Sequence, residues 1–408
     1  MKNSLRKIET FLFLFLTVII HQGFSQSSLD DLVNNALTTN KSLISANEFY
    51  NAEIIESKTG NSPDNPEVEY AYLWGDPTSV GNRIDFAITQ SFDFPTAYSS
   101  RNKLSKIKRQ QAGLRFSFVE QNVIINTHQL WVQAVYLNKM HSLLTKRMGN
   151  AEMIAKAFQR MFDEGETNVL KLNQAKLQLT ALSNEMENIE LDMIRNNSLI
   201  TQINGGKEFP IFDSIFPEAM NIEMDTLINL FKSGPQNLMF QGEVERLDQQ
   251  KTVVFNQKLP KLKAGYYQET ILGTKLSGVR AGITIPLWEN ANAVKSAKAN
   301  FAYAQTDAVR FWEQQEIEVR RLFEQWQRLL NQVEEMQELI NNSNNDALLF
   351  KALENGEINL TQYYYEMDFY FQTKFDLIEF QRNLHLIEAE LLSITYAGSG
   401  TIQMYGKK

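Results

Sequence analysis

The feature that most constrains this chain is a short polar segment that occurs twice. The first copy, FDEGETNVL, covers residues 162–170, and the second copy, LENGEINL, covers residues 353–360. Each copy reads as a glycine turn between two helical patterns, and a glycine that follows a helix is by itself only a common stop. The same residue order about 190 residues apart predicts an internal duplication, provided that the flanking segments repeat as well.

The N-terminus has the layout of a cleaved secretory signal. Lys2, Arg6 and Lys7 precede an apolar run over 11–20, and the segment 23–25 follows it. This order predicts a signal peptide over residues 1–25 and a mature chain that begins at Gln26. The apolar run is about half the ~20 residues that a membrane-spanning helix needs. Since no comparable run follows, strands must carry the mature chain into a membrane if it enters one.

Composition excludes several classes of function. Removal of residues 1–25 changes the 40 basic and 48 acidic residues to 37 and 47, and the net charge from −8 to −10. A chain this acidic repels phosphate backbones, so we expect no nucleic-acid partner. The chain has no cysteine, which excludes disulfides and thiolate metal sites.

The remaining reactive side chains form no catalytic pattern. His128, His141 and His385 lack the paired spacing of a metal-binding motif. No Ser/His/Asp arrangement and no phosphate-binding glycine loop is present in the sequence. We therefore expect no metal, no cofactor and no enzymatic activity.

The chain reads as two halves of one architecture. The marked break in composition from Asn204 to Pro217 predicts a linker over 204–221, between a first repeat over 26–203 and a second repeat over 222–408. Each repeat contains a helix, a β-hairpin and a long helical pair with a glycine turn at its tip. The predicted elements are helices over 29–59 and near 222–256, hairpins over 66–92 and 260–287, and tips over 163–168 and 354–359.

Both predicted hairpins have one apolar and one polar face. The apolar faces collect Val68, Tyr70, Tyr72, Trp74, Ile84, Phe86, Ile88, Val279, Ile283 and Leu287, and the polar faces carry Asp85, Thr89, Arg280 and Thr284. A soluble sandwich shows the same alternation, but the secretion signal and the aromatic face favour barrel strands with these four polar residues toward the lumen. Because four strands cannot close a barrel, several chains must share one.

The helical pairs carry narrow heptad seams. The first limb has the weaker seam, Val123, Thr127, Leu130, Ala134, Leu137, His141 and Leu144, and the seam of the limb after the first turn is broken at Asn196. Limbs of roughly 50 residues would extend about 75 Å at 1.5 Å per residue. Since narrow seams bury little within one chain, we expect lateral packing against neighbouring limbs and neighbouring chains. An ordinary soluble coiled coil has such seams too, but it does not explain the hairpins.

On these features the chain resembles the TolC-like outer membrane efflux proteins over nearly the whole mature sequence. The resemblance rests on the twofold order of elements, on the strand-to-helix segments 90–95 and 285–291, and on the helix start with Val294, Ala297 and Ala299. It implies a mainly α fold with a small β part. Long antiparallel helical hairpins would form an α-barrel, and four strands per chain would contribute to a trimeric 12-stranded β-barrel.

The implied function is the exit duct of a tripartite efflux system. The resemblance implies a homotrimer in contact with outer membrane lipid, with a large periplasmic helical part. The implied partners are a periplasmic adaptor and an inner-membrane pump, commonly of the RND type. The first repeat looks more like the heavy-metal cation efflux branch than the multidrug branch. The alternative is a periplasmic coiled-coil adaptor or structural protein that does not enter the membrane.

The resemblance places the two glycine turns at the periplasmic tips. It implies adaptor docking at Gly165, Glu166, Thr167, Gly356, Glu357 and Ile358. Well-studied members narrow this end with aspartates just after the second turn, and Gln362 and Tyr365 occupy the matching positions here. An aspartate gate is therefore not carried over. Glu166, Glu354 and Glu357 are either solvated turn acids or members of cation-favouring rings. The candidate gate residues are Glu354, Glu357, Gln362 and Tyr365.

Overall fold

The computed structural model describes residues 24–76, 81–288, 291–343 and 345–395 of the chain. The predicted signal peptide lies outside the described residues, except for its last two positions. The elements are α1 Phe24–Thr39, α2 Lys41–Glu56, β1 Glu67–Leu73, β2 Arg83–Phe92, α3 Pro95–Asp163, α4 Val169–Ile203, α5 Met224–Ser233, α6 Pro235–Asn256, β3 Lys261–Ile271, β4 Thr274–Thr284, α7 Ala293–Ser343, α8 Asn345–Glu354 and α9 Leu360–Thr395. Within these described ranges, no helix combines the length and the apolar character needed to cross a membrane.

The chain divides into two compact units, and each takes segments from both halves of the sequence. The sheet unit comprises residues 46–118 and 235–315 and contains all four strands. The helical unit comprises the described residues of 1–45, 119–234 and 316–408 and contains both glycine turns. Helices α3 and α7 each contribute residues to both units.

The four strands form one antiparallel sheet in the order β1-β2-β3-β4. Each hairpin pairs within itself, and ten residue pairs, from Arg83↔Ile271 to Phe92↔Leu262, join β2 of the first hairpin to β3 of the second. Cross-strand partners share a face of a sheet, whereas successive residues of a strand lie on opposite faces. The two hairpins therefore contribute most of their apolar residues to one common face and most of their charged residues to the other.

Two segments predicted as single helices are each divided. The prediction over 29–59 is wrong at Asn40, whose side chain accepts hydrogen bonds from the N–H groups of Ser42 and Leu43 at 2.9 and 3.1 Å. This geometry is an N-cap, which starts α2 as a new helix. The predicted helix near 222–256 separates into α5 and α6 at Gly234. Pro235 explains the break, because it has no N–H to continue α5 and its fixed φ suits the first position of α6.

The core of the helical unit forms between α3, α4 and α9. Its buried side chains include Leu137, Leu144, Ile154, Phe158, Leu172, Leu182, Met367 and Phe371. The predicted seam of α3 is wrong at His141, whose side chain is 41% exposed with Nε2 3.8 Å from Oε1 of Glu190. Asn196, which breaks the seam of α4, is buried, and its Nδ2 donates to the carbonyl oxygen of Leu130 at 3.1 Å. This hydrogen bond satisfies the amide within an apolar surrounding.

Residues 204–223, which include the predicted linker, form neither helix nor strand but are fixed to the helical unit. Ile211 and Phe216 join a hydrophobic cluster with Trp131. Nδ2 of Asn138 donates to the carbonyl oxygens of Ile211 and Asp213 at 3.0 and 2.9 Å. The first half of this segment is therefore held both by apolar contacts and by hydrogen bonds from the Asn138 side chain to its carbonyl oxygens.

A fully buried carboxylate holds the second half of the same segment. Glu388 of α9 accepts hydrogen bonds from the N–H of Met220 at 2.8 Å and from the indole N–H of Trp326 at 3.2 Å. Its other oxygen lies 2.6 Å from Nδ1 of His385, whose ring stacks on Phe216 with 4.8 Å between ring centres. Because each oxygen has a partner, the carboxylate is tolerated in the interior.

We predict that the buried His128 makes the helical unit sensitive to acid. Burial lowers the pKa of His128 from 6.5 to about 4, since a buried imidazole resists the positive charge. The unfolded chain therefore binds this proton at a higher pH than the folded chain does. The stabilising contribution is complete above the unfolded pKa and is lost as the pH falls toward the folded pKa, a change of about 3 kcal/mol.

The variant His128→Leu should reduce the fall in melting temperature between about pH 7.5 and about pH 5, followed by circular dichroism of the purified protein. His141→Leu, which removes a partly exposed histidine, is the matched control and should fall as the wild type does. An acid-induced fall of equal size in His128→Leu and the wild type would contradict this role of His128.

Candidate functional site

The two glycine turns have the same backbone geometry. Gly165 and Gly356 adopt φ angles of +77° and +75°, a left-handed conformation that costs a glycine no steric strain. At the first turn, the N–H of Gly165 donates to the carbonyl oxygen of Phe162 at 3.0 Å, and that of Glu166 donates to Met161 at 2.8 Å. The same two bonds recur 191 positions later at 3.1 and 2.9 Å. Both turns are Schellman motifs, so the similarity of the two segments extends to individual hydrogen bonds.

An asparagine cap follows each turn. Oδ1 of Asn168 and Oδ1 of Asn359 each accept a hydrogen bond from the N–H three residues later, at 3.1 and 2.9 Å. At the second turn, Oε1 of Gln362 also accepts from the N–H of Asn359 at 3.1 Å, which completes a capping box. Lys171 occupies the corresponding position of the first repeat, and its side chain has no oxygen that could accept such a hydrogen bond. The side-chain oxygen of Gln362 is thus engaged at the start of α9.

The predicted docking and gate residues at the turns differ in exposure. Glu354 is exposed beside the second turn. Ile358 is half-buried and packs against the core of the helical unit, and Thr167, its counterpart at the first turn, is half-buried as well. The docking residues that are exposed are Gly165, Glu166, Gly356 and Glu357.

Helices α4 and α9 run side by side and in the same direction from the two turns. Nε2 of Gln174 donates to Oη of Tyr365 at 3.5 Å, and Nε2 of Gln178 donates to Oδ1 of Asp368 at 3.4 Å. The contacts advance along both helices together, as they do between parallel neighbours. The candidate gate residue Tyr365 therefore lies beside α4, and it remains more than half exposed.

An ion pair anchors the start of α9 to α3. Nη2 of Arg147 lies 2.6 Å from Oδ1 of Asp368, and the guanidinium lies 5.1 Å from the ring centre of Phe375. One turn nearer the tip, Oη of Tyr363 donates to Oδ1 of Asn150 at 3.1 Å. Sequence reasoning missed these contacts, because the partners are more than 200 residues apart and follow no local pattern. They fix the position of the helix that carries the candidate gate.

The sheet places the four predicted lumen residues on one face. Thr89 lies opposite Gly265, which in turn lies opposite Arg280. A Cβ atom at Gly265 would lie 2.3 Å from the carbonyl oxygen of Ile88, so this close approach requires glycine. By the same register, Asp85 and Thr284 belong to this face as well.

Charged and aromatic side chains form a network on this polar face. Nε of Arg83 lies 2.8 Å from Oδ1 of Asp85 and 3.2 Å from Oε1 of Glu269. Its Nη2 donates to Oη of Tyr267 at 3.0 Å, and the guanidinium of Arg280 lies 5.5 Å from the same ring centre. The opposite face exposes between 41% and 94% of Val68, Tyr70, Ile88, Tyr266, Val279 and Ile283. The sheet thus separates a polar network from an exposed apolar surface.

The part of the chain that the structure describes contains no candidate metal site. There, no group of three or more His, Cys, Asp or Glu side chains is placed to hold a metal ion. The close contact of His385 involves only Glu388 and an aromatic ring.

No family model and no curated protein matches the sequence, but the fold matches solved outer membrane proteins. The Campylobacter jejuni outer membrane channel CmeC is 15% identical, with 90% of this chain and 85% of that chain covered and a TM-score of 0.74. VceC, an outer membrane protein of Vibrio cholerae, is 11% identical, with coverages of 91% and 96% and a TM-score of 0.72. CusC, from a study of folding and transmembrane channel formation, is 14% identical, with 91% of this chain and 92% of that chain covered and a TM-score of 0.70.

These similarities confirm the fold predicted for a single chain. The chain has the TolC-like fold, mainly helical with four antiparallel strands.

Proposed function

We propose that this chain is the outer membrane exit duct of a tripartite efflux system. It would conduct substrates from a periplasmic adaptor and an inner-membrane pump to the exterior. The observation that carries the proposal is the two-faced sheet, with a polar network on one side and exposed aromatic residues on the other. An apolar surface of this kind needs a cover. The fold shared with outer membrane channels makes lipid the favoured cover.

The open edges of the sheet support a barrel shared by several copies. Among the described residues, β1 and β4 each pair along one edge only. Unpaired strand edges are not tolerated in hydrocarbon, and a transmembrane barrel needs about eight strands or more. Two copies would already supply eight strands, so the homotrimer rests on the TolC-like resemblance, in which three copies supply 12 strands with β4 of one copy beside β1 of the next. In this arrangement Asp85, Thr89, Arg280 and Thr284 line the lumen.

A stripe of leucines on α4 supports the same assembly. Leu170, Leu177 and Leu191 lie at multiples of seven residues and Ile194 follows three residues later, with exposures between 54% and 73%. This spacing is that of a coiled-coil seam, yet the core of the chain uses the other face of the helix, with Leu172 and Leu182. We assign the leucine stripe to contact between neighbouring copies in an α-barrel.

The predicted division of the chain belongs to the same proposal. A signal peptide over 1–25 would direct the chain across the inner membrane, and the repeats over 26–203 and 222–408 would each supply one hairpin and one helical pair. The segment 204–221 would connect the repeats on the helical unit. The matching hydrogen bonds of the two turns support a duplicated origin of the repeats.

The two turns are the proposed docking sites for the periplasmic adaptor, which would link the duct to a pump of the RND type. Their identical backbones and exposed glycines offer two equivalent contacts per copy. In a trimer, Glu166, Glu354 and Glu357 would form acidic rings, which favour cations. These rings are consistent with metal cation cargo, which stays a prediction.

The alternative is a periplasmic adaptor or structural coiled coil that never enters the membrane. The two functions differ in what covers the apolar face of the sheet. A duct sediments with the outer membrane, is released only by detergent and runs as a heat-sensitive oligomer in gel electrophoresis. Recovery of the mature chain from a periplasmic extract without detergent would contradict the duct and favour the alternative.

We predict that Glu357→Lys lowers the cation preference of single channels, because an exposed carboxylate at the turn is replaced by a positive charge in every copy. The permeability ratio of potassium to chloride should fall by a factor of about two or more. Asp225→Lys makes the same charge change on the exposed surface of α5 and should leave the ratio unchanged. An unaltered ratio in Glu357→Lys would show that the carboxylate ring lies outside the constriction.

We predict that Gly356→Pro prevents adaptor binding while trimers still form. Proline fixes φ near −65°, against the +75° observed here, and removes the N–H that donates to Leu353. Gly356→Asn is the control, since asparagine tolerates the left-handed conformation. Copurification with the coexpressed adaptor should be lost in the proline variant and kept in the asparagine variant. Adaptor binding at the wild-type level by Gly356→Pro would count against docking at this turn.

A further inference from the structure

Two aromatic side chains are exposed on one face of α9. Tyr365 is 56% exposed, and Phe369, one helical turn further on, is 72% exposed. The opposite face of the same helix is buried in the core of the helical unit through Tyr363, Met367 and Phe371. Exposed aromatic surface is unfavourable in water. The pair is thus available for a contact beyond the packing of one chain.

The first repeat provides an internal comparison. Counted from the two glycines, Tyr365 and Phe369 correspond to Gln174 and Gln178 of α4. Both hairpins reach the same turn geometry, one with glutamines and the other with aromatic residues at these positions. The helical pair and its glycine turn therefore form without an aromatic pair at these positions. Its presence after the second turn alone points to a role that belongs to α9.

The apolar patch is too small for a stable contact with a different protein. Gln362, before Tyr365, and Gln372, after Phe369, are exposed, and Nε2 of Gln372 donates to Oδ1 of Asp376 at 3.1 Å. The patch is thus little more than one helical turn high, whereas a stable interface buries about 800 Å² on each partner. A patch of this size gains contact area when identical copies meet around a symmetry axis.

We propose that Tyr365 and Phe369 of three copies meet around the threefold axis and form an aromatic constriction that closes the periplasmic end. This inference rests on the proposed function, because it needs three copies around a lumen. A ring of uncharged aromatic side chains lowers conduction by excluding water, so it hinders ions of either sign. Gln362 takes no part in the barrier, since its side-chain oxygen caps α9. Glu357 then acts on ion selectivity and not on closure.

Cross-linking tests the geometry, and the absence of cysteine makes single-cysteine variants clean probes. Phe369→Cys in the detergent-purified full chain should form a covalent dimer with a short bis-maleimide. Gln174 is no suitable control because it contacts Tyr365, whereas Lys176 is exposed about 200° further around α4. Lys176→Cys should remain monomeric on a denaturing gel. Dimers from Lys176→Cys, with none from Phe369→Cys, would place α4 and not α9 at the axis and overturn the proposal.

Single-channel recording tests the closure. The double variant Tyr365→Ser/Phe369→Ser should raise the conductance by a factor of about three or more, because the polar ring stays wet. The apolar pair Tyr365→Phe/Phe369→Leu should keep the low conductance of the wild type. If the serine variant does not assemble, the cross-linking result decides the proposal.

The outcomes separate this inference from the proposed function. Wild-type conductance in the assembled serine variant would overturn the constriction and leave the duct in place, provided that Glu357→Lys still changes the permeability ratio. If neither the wild type nor any variant forms channels, the duct fails and the constriction fails with it.

Discussion

The pairing of β2 with β3 is the contact on which the arrangement of the sheet depends. Ten residue pairs join a strand of the first half of the chain to a strand of the second half. Without them each hairpin would be a two-stranded ribbon, which is marginally stable in water. With them most of the apolar residues of both hairpins share one face, and most of the charged residues share the other. The same pairing leaves β1 and β4 at the edges, where further copies are proposed to add.

The two glycine turns agree in backbone and differ in the side chains that follow them. Both turns use a glycine with positive φ and the same hydrogen bonds, which preserve the path of the chain. Beyond the turns, Lys171 and Gln174 of the first repeat correspond to Gln362 and Tyr365 of the second. Since the backbone is satisfied by the same motif in both halves, the side chains beyond it were free to acquire separate roles.

Much of the fold could be predicted from the sequence, because it depends on local patterns. Alternation in the hairpins and heptads in the helices identify element types without knowledge of their partners. Breaks between helices were harder to predict from the sequence. Asn40 caps α2, but the helical pattern runs on through this position without interruption. His141 was assigned to a seam on spacing alone, whereas tertiary packing leaves it partly exposed.

Less of the candidate site could be predicted, since its positions depend on contacts between distant segments. The glycine turns and the acidic residues beside them are visible in the sequence. The ion pair of Arg147 with Asp368 is not, because neither residue has a distinctive neighbourhood. Phe369 lies in a run rich in aromatic residues, and only the packing of α9 shows which of them are buried and which are exposed.

The measurement that tests the account most directly is electron cryo-microscopy of the full chain, expressed with the proposed signal peptide and purified in detergent from outer membranes. The account predicts three copies around one axis and a closed sheet of 12 strands, in which β4 of each copy is hydrogen-bonded to β1 of the next. A monomer or dimer with open β1 and β4 edges would contradict the shared barrel and, with it, the function as a duct.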